Sequence, residues 1–242
     1  MAWRLGTALL LGASLAGGSL TGADELPRAP AAPATATAPD WPDSFVARLE
    51  ALALLQTLNA DLLSHDSATL TLEHWCGSHQ LASPAHIVAE RVAGIEQPPT
   101  GQQRLELRVS ATDTVRYRRV RLRCGTLVLS EADNWYVPGR LTADMNQLLD
   151  TSDTPFGRVV QALHFQRHTI AATLLWRPLP EGWEMGAGAG YLASAGDTPG
   201  RLIAPPAVLQ HRALLSLPDG TPFSEVVESY SGNVLGFAPP SP

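Results

Sequence analysis

Residues Val115–Pro138 read VRYRRVRLRCGTLVLSEADNWYVP. Two alternating runs, Val115–Cys124 and Leu127–Val137, flank Gly125-Thr126, a pair suited to a tight turn, so the stretch predicts an antiparallel hairpin. Alternation puts Arg118, Val120, Leu122 and Cys124 on one face and Arg119, Arg121 and Arg123 on the other. The second set reads as a solvated arginine ladder. Arg118 is different because it stands on the apolar face. A buried guanidinium needs a counter-charge, which here is either a carboxylate of the chain (Glu131, Asp133 or Glu228) or a bound anion.

A second hairpin is predicted near the C-terminus. Leu209–Leu217 and Pro222–Tyr230 flank Pro218-Asp219-Gly220, a strong turn signal. On its return strand Ser224, Val226 and Glu228 share one face, and Phe223, Glu225 and Val227 the other. One glutamate must face inward, and alternation leaves Glu228 and Glu225 both open. A glutamate in an apolar cavity has a raised pKa and can serve as acid or base near neutral pH. Thr69–Trp75 (TLTLEHW), Arg104–Ser110 (RLELRVS) and Ile170–Trp176 also read as strands.

Helices are predicted in three places. Trp41–Ser64 carries Phe45, Leu49, Leu52, Leu55, Leu58 and Leu62 at three- and four-residue intervals, with Asp43 or Ser44 as cap. Leu141–Leu149 and Pro155–Leu163 read as two short helices. In Asp153–Val160, DTPFGRVV, Thr154 is the expected N-cap and Pro155 the first helical residue, which would leave the amides of Phe156 and Gly157 free to meet an anion. Helices combined with long antiparallel hairpins give a single α+β domain with a largely antiparallel sheet.

The 242 residues, 45% of them hydrophobic, supply one core. A net charge of −6 argues against nucleic acid or an anionic membrane as partner. All 17 basic residues are arginine, which excludes lysine Schiff-base chemistry and a lysine-dependent phosphate loop. Residues 1–23 have the pattern of a secretory signal peptide: Arg4, the apolar run GTALLLGASL at 6–15, and a cleavage signal at Thr21-Gly22-Ala23. Residues 24–40 form an Ala/Pro-rich linker, 41–237 the domain, and 238–242 a loose tail. These features predict a periplasmic or secreted protein without a stable membrane anchor. Cys76 and Cys124 are the only cysteines, either a disulfide or two buried thiols. His74 and His79 flank Cys76, but on a strand they would lie on opposite faces and hold no metal.

The arginine-bearing strand, the return strand ending Tyr136-Val137-Pro138 and the turn Thr154-Pro155-Phe156-Gly157-Arg158 resemble the chorismate pyruvate-lyase family. Gly220-Thr221-Pro222-Phe223, Glu228 and Tyr230 look like that family's C-terminal hairpin, and the resemblance spans roughly Leu49–Leu235. It implies a curved sheet with helices on one side, enclosing a pocket, a fold also used as the effector-binding domain of a class of bacterial transcription regulators. It further implies cleavage of chorismate to 4-hydroxybenzoate and pyruvate, with no metal or cofactor. Counting back from the hairpin turn makes Arg118 the ligand of the ring carboxylate, whereas anchoring on Pro138 makes it Arg119. Phe156 and Gly157 would contribute amides to that carboxylate, Glu228 would act on the leaving side chain, and Leu58 would line the pocket. The alternative is a non-catalytic, monomeric periplasmic binding protein for a small aromatic or cyclic carboxylic acid.

Overall fold

In the computed structural model, which describes residues 41–186 and 200–240, Ser44 starts the first helix. Its Oγ accepts from the amide of Ala47 at 3.2 Å, and α1 runs Phe45–Ser64. Ala47, Ala51, Leu55, Leu58 and Leu62 form its buried stripe, the spacing that puts side chains on one helical face. The expected signal peptide and linker lie outside the described residues.

The segment TLTLEHW corrects the sequence reading. It belongs to a helix, α2, Ala68–Ser78. Ser67 caps it through the Leu70 amide, and Ala68, Leu72, Trp75 and Cys76 are buried at helical intervals. That capped 3.6-residue pattern outweighs an alternation only seven residues long. His79 then falls at the end of α2, between the rings of Trp75 and Phe237 at 3.9 and 4.3 Å.

After α2 comes strand β1, Ile87–Arg91, which the sequence reading did not anticipate. The expected strand Arg104–Ser110 is instead helix α3, Gly101–Glu106, and the turn after it. A capping box starts α3: the Gln103 amide donates to Thr100 Oγ1, and the Thr100 amide to Gln103 Oε1, at 3.2 and 2.8 Å. The predicted hairpin is present as β2, Arg116–Cys124, and β3, Leu127–Tyr136. Its turn needs glycine, because Gly125 has φ +56° and a Cβ there would sit 2.7 Å from that of Ala82.

Helix α4, Ala143–Thr151, follows. The helix expected over Pro155–Leu163 is shorter than predicted: α5 is Phe156–Val159, and a separate 3-10 turn covers Gln161–Leu163. Pro155 itself occupies the cap position and no side chain caps the turn, so Thr154 does not play the expected part. Strands β4, Gln166–Leu174, β5, Leu209–Ser216, and β6, Pro222–Tyr230, complete the chain's sheet.

The six strands run in the order β1-β2-β3-β6-β5-β4, and every neighbouring pair is antiparallel. The fold is therefore α+β, as the hairpins predicted. The main core lies between the inner face of the sheet and α1 and α2, where Leu55, Leu58, Leu72, Val120, Leu122 and Val226 cluster. A second cluster, including Tyr136, Leu149, Phe156 and Phe223, fills the space beside α4 and α5. On the opposite face Leu107, next to α3, packs with Trp135 and Val137. Cys76 and Cys124 are joined in a disulfide that closes 48 residues and ties α2 to the end of β2. On the chain-entropy model such a loop contributes about 4 kcal/mol.

Candidate functional site

Register fixes what faces inward. Val120 stands opposite Ala132, Ala132 opposite Glu228, and Glu228 opposite His211. Arg118 and Glu228 therefore share the inner face, as the family resemblance requires. They line one cavity of about 40 Å³ together with Phe156, Gly157, Asn134 and Arg167. At ~10–15 Å³ for each water, that space takes about three waters or one small polar group.

Arg118 is only 7% exposed. One Nη donates to the Thr154 carbonyl at 3.3 Å, and Nε has no acceptor. Among the described residues none of Glu131, Asp133 and Glu228 pairs with it; Glu131 and Asp133 pair with Arg119, and Glu228 with Arg167. Burial pushes the guanidinium pKa down to about 10, and repulsion from Arg91 adds to the shift. The group still carries its full charge at neutral pH.

Arg167 is a site residue that the sequence reading missed. Its guanidinium donates to Glu228 Oε2 at 2.6 Å, with both side chains under 10% exposed. Burial opposes the charge on Arg167, but Glu228 outweighs it and holds the pKa above the ordinary value. The Tyr230 hydroxyl donates to the same oxygen at 3.1 Å. Behind this pair His211 is fully buried, with Nε2 2.8 Å from Asn59 Oδ1. Burial pushes His211 down to about 4, against the pull of Glu228, so it is neutral at physiological pH. Arg167 and Glu228 pair with each other, which leaves two further charged residues in the lining, the buried Arg118 and the exposed Asp66.

The turn at Pro155 forms another wall. The Phe156 ring is 8% exposed and packs 5.5 Å from Tyr136 and 6.4 Å from Phe223. Gly157 lies close to the start of α2: a Cβ there would come within 3.1 Å of Ser67 Oγ, so a larger residue would need Ser67 to shift. Four residues are too few for a helix dipole to matter, so the amides of Phe156 and Gly157 count only as individual donors.

The other candidates are elsewhere. Arg119 is on the outer face, 2.7 Å from Glu131. Leu58 is fully buried in the main core and does not itself line the cavity. Glu225 is fully buried too, but on the face opposite Glu228, where Arg212 and Gln103 donate to its Oε1 at 2.8 and 3.3 Å. Burial raises its pKa and Arg212 works the other way. The return strand thus buries both glutamates, one on each side of the sheet.

The cavity adjoins a groove of about 510 Å³ that shares Asp66, Ser67, Gly157 and Phe165 with it and extends past Thr71 and His164. A separate groove of about 550 Å³ between Trp41, Trp176 and Leu202 lies away from Arg118 and Glu228 and is mostly apolar.

No protein-family model matches the chain. It is 54% identical over 201 residues to the "Uncharacterized protein y4mC" of Sinorhizobium fredii, covering 83% of each chain. Among solved structures it is similar to the effector domain of PhnF from Mycobacterium smegmatis, with TM-score 0.42, 12% identity, and 69% and 90% of the two chains covered. The ligand-binding domain of a putative GntR-family transcriptional regulator from Bordetella bronchiseptica gives TM-score 0.39, 15% identity, and 61% and 84% coverage. The possible transcriptional regulator YydK from Bacillus subtilis gives TM-score 0.37, 15% identity and 64% coverage of this chain, which spans 62% of that protein's length. Likenesses at these scores add nothing to the functional argument.

Proposed function

The chain belongs to one family with the Sinorhizobium fredii protein, and we propose that it binds a small monocarboxylic acid outside the cytoplasm without transforming it. One observation carries the reading. Arg118 is buried in a cavity wall, oriented by a carbonyl, and among the described residues forms no ion pair with a carboxylate. A buried charge of this kind needs a counter-ion, and a carboxylate offers a guanidinium two acceptors in matching geometry. The ligand's acid group occupies the cavity beside Arg118, and its body lies in the groove beyond Ser67 and Phe165.

Chorismate cleavage is the second reading, favoured by the presence of Glu228 in the same cavity. Two features argue against it. Glu228 Oε2 is already taken by Arg167 and Tyr230, and about 40 Å³ holds an acid group but not a substituted ring. The disulfide between Cys76 and Cys124 and the leader-like residues 1–23 support placement in an oxidising, extracytoplasmic compartment.

Calorimetric titration with benzoate, 4-hydroxybenzoate and chorismate tests the proposal, with product release from chorismate followed in parallel. Binding is expected to weaken by roughly 10–100-fold in Arg118→Gln, the worth of one hydrogen-bonded charge. No 4-hydroxybenzoate should appear. Release that disappears in Glu228→Gln would establish the lyase instead.

A further inference from the structure

Arg118 borders a second space. On its other side is a groove of about 610 Å³ lined by Arg91, Arg104, Arg116, Val115, Leu149 and Asp150, among others. Four arginines face two carboxylates there, Glu96 and Asp150, in a chain whose net charge is −6. The excess is local and of opposite sign to the whole.

The partners of these arginines explain why the charge is unspent. Arg91 donates to the backbone carbonyl of Asp150. Arg104 donates to the carbonyls of Ser110 and Asp113 at 2.8 and 3.1 Å, and Arg118 to that of Thr154. Neutral acceptors hold the three guanidiniums in place without cancelling them. Among the described residues, only Arg116 of the four forms an ion pair with a carboxylate, Asp150 at 2.8 Å. Burial and Arg91 act against the charge on Arg118, and the weaker pull of Asp153 and Asp150 does not offset them.

We propose that this groove is a second anion site, for a small dianionic oxyanion such as phosphate or a phosphate monoester, held between Arg91, Arg116 and Arg118. It shares Arg118 with the carboxylate cavity but does not depend on that cavity's ligand. Val115 and Leu149 give an ester's organic part an apolar surface to rest on. A small soluble ligand suits the site better than a polyanion, because the rest of the chain repels extended negative charge.

The full chain is titrated by calorimetry with inorganic phosphate and, separately, with benzoate, at low ionic strength where exposed arginines are least screened. Arg91→Gln should weaken phosphate binding by about 5-fold, the worth of one exposed charge contact, and leave benzoate within about 2-fold. Arg118→Gln should weaken both, and Arg121→Gln neither. Circular dichroism confirms that each variant is folded. Phosphate that does not bind, or binds equally well to Arg91→Gln, overturns the proposal. So does Arg91-dependent binding of single-stranded oligonucleotide or anionic vesicles without binding of phosphate. If phosphate binds as described and benzoate does not, the carboxylate cavity fails and the groove stands.

Discussion

On the outer face of β2, Arg119, Arg121 and Arg123 meet Glu131 and Glu90 at 2.7–3.0 Å, whereas on the inner face Arg118 forms no ion pair among the described residues. The outward residues sit partly in water, where a lost pair is easily rehydrated. Yet they are the ones fully matched by carboxylates on β1 and β3. The inward residue is largely buried and, among the described residues, has no ion pair with a carboxylate. Folding alone favours the reverse arrangement, or an apolar side chain at 118. On the proposed reading, the unmatched inner charge marks a binding position and the matched outer ladder ordinary surface.

The largest effect is expected where an inner charge is matched. Arg167→Met leaves Glu228 buried without its cation and should destabilise the fold by about 3–5 kcal/mol, measured by chemical denaturation. The double variant with Glu228→Gln should recover most of that loss. Failure to recover would mean that Arg167 acts through packing rather than charge.

An intermediate effect follows from His211. Its folded pKa of about 4 lies below its ordinary value near 6.5. Between those values the unfolded chain holds a proton that the folded chain does not. Stability should therefore fall as pH drops from 6.5 toward 4, by of the order of 2–3 kcal/mol. Denaturation across that window should show a shallower loss in His211→Gln than in the native chain. The smallest effect belongs to the ladder: Arg119→Gln should cost less than about 1 kcal/mol and less still at high salt. A larger loss would erase the contrast between the faces.

How much of this was legible in sequence depended on the length of each pattern. The hairpin of β2 and β3 alternates over twenty residues around a glycine turn, and the inward placement of Arg118 followed from it. TLTLEHW and RLELRVS alternate too, but over seven residues each, and they fold as α2 and as the end of α3 with its following turn. The caps Ser67 and Thr100, each three residues before its bonded amide, are the signals that mark both helices. Glu228 and Glu225 could not be told apart by alternation, because the sheet is covered on both faces at β6 and buries both. Arg167 and His211 were invisible for a different reason. Their parts arise only when β4, β5 and β6 assemble, and nothing in QRHTI or LQHRA signals a charge that will meet Glu228.

On the proposed function, the charge of Arg118 is kept for a ligand at the expense of the fold. Thermal unfolding of the native chain and of Arg118→Met, each with and without benzoate, tests it directly. Arg118→Met without ligand should unfold about 2–4 °C higher, the shift for a gain near 1 kcal/mol in a domain of this size, and should lose the stabilisation that benzoate gives the native chain. A variant that unfolds lower than the native chain and is still stabilised by benzoate would contradict the account.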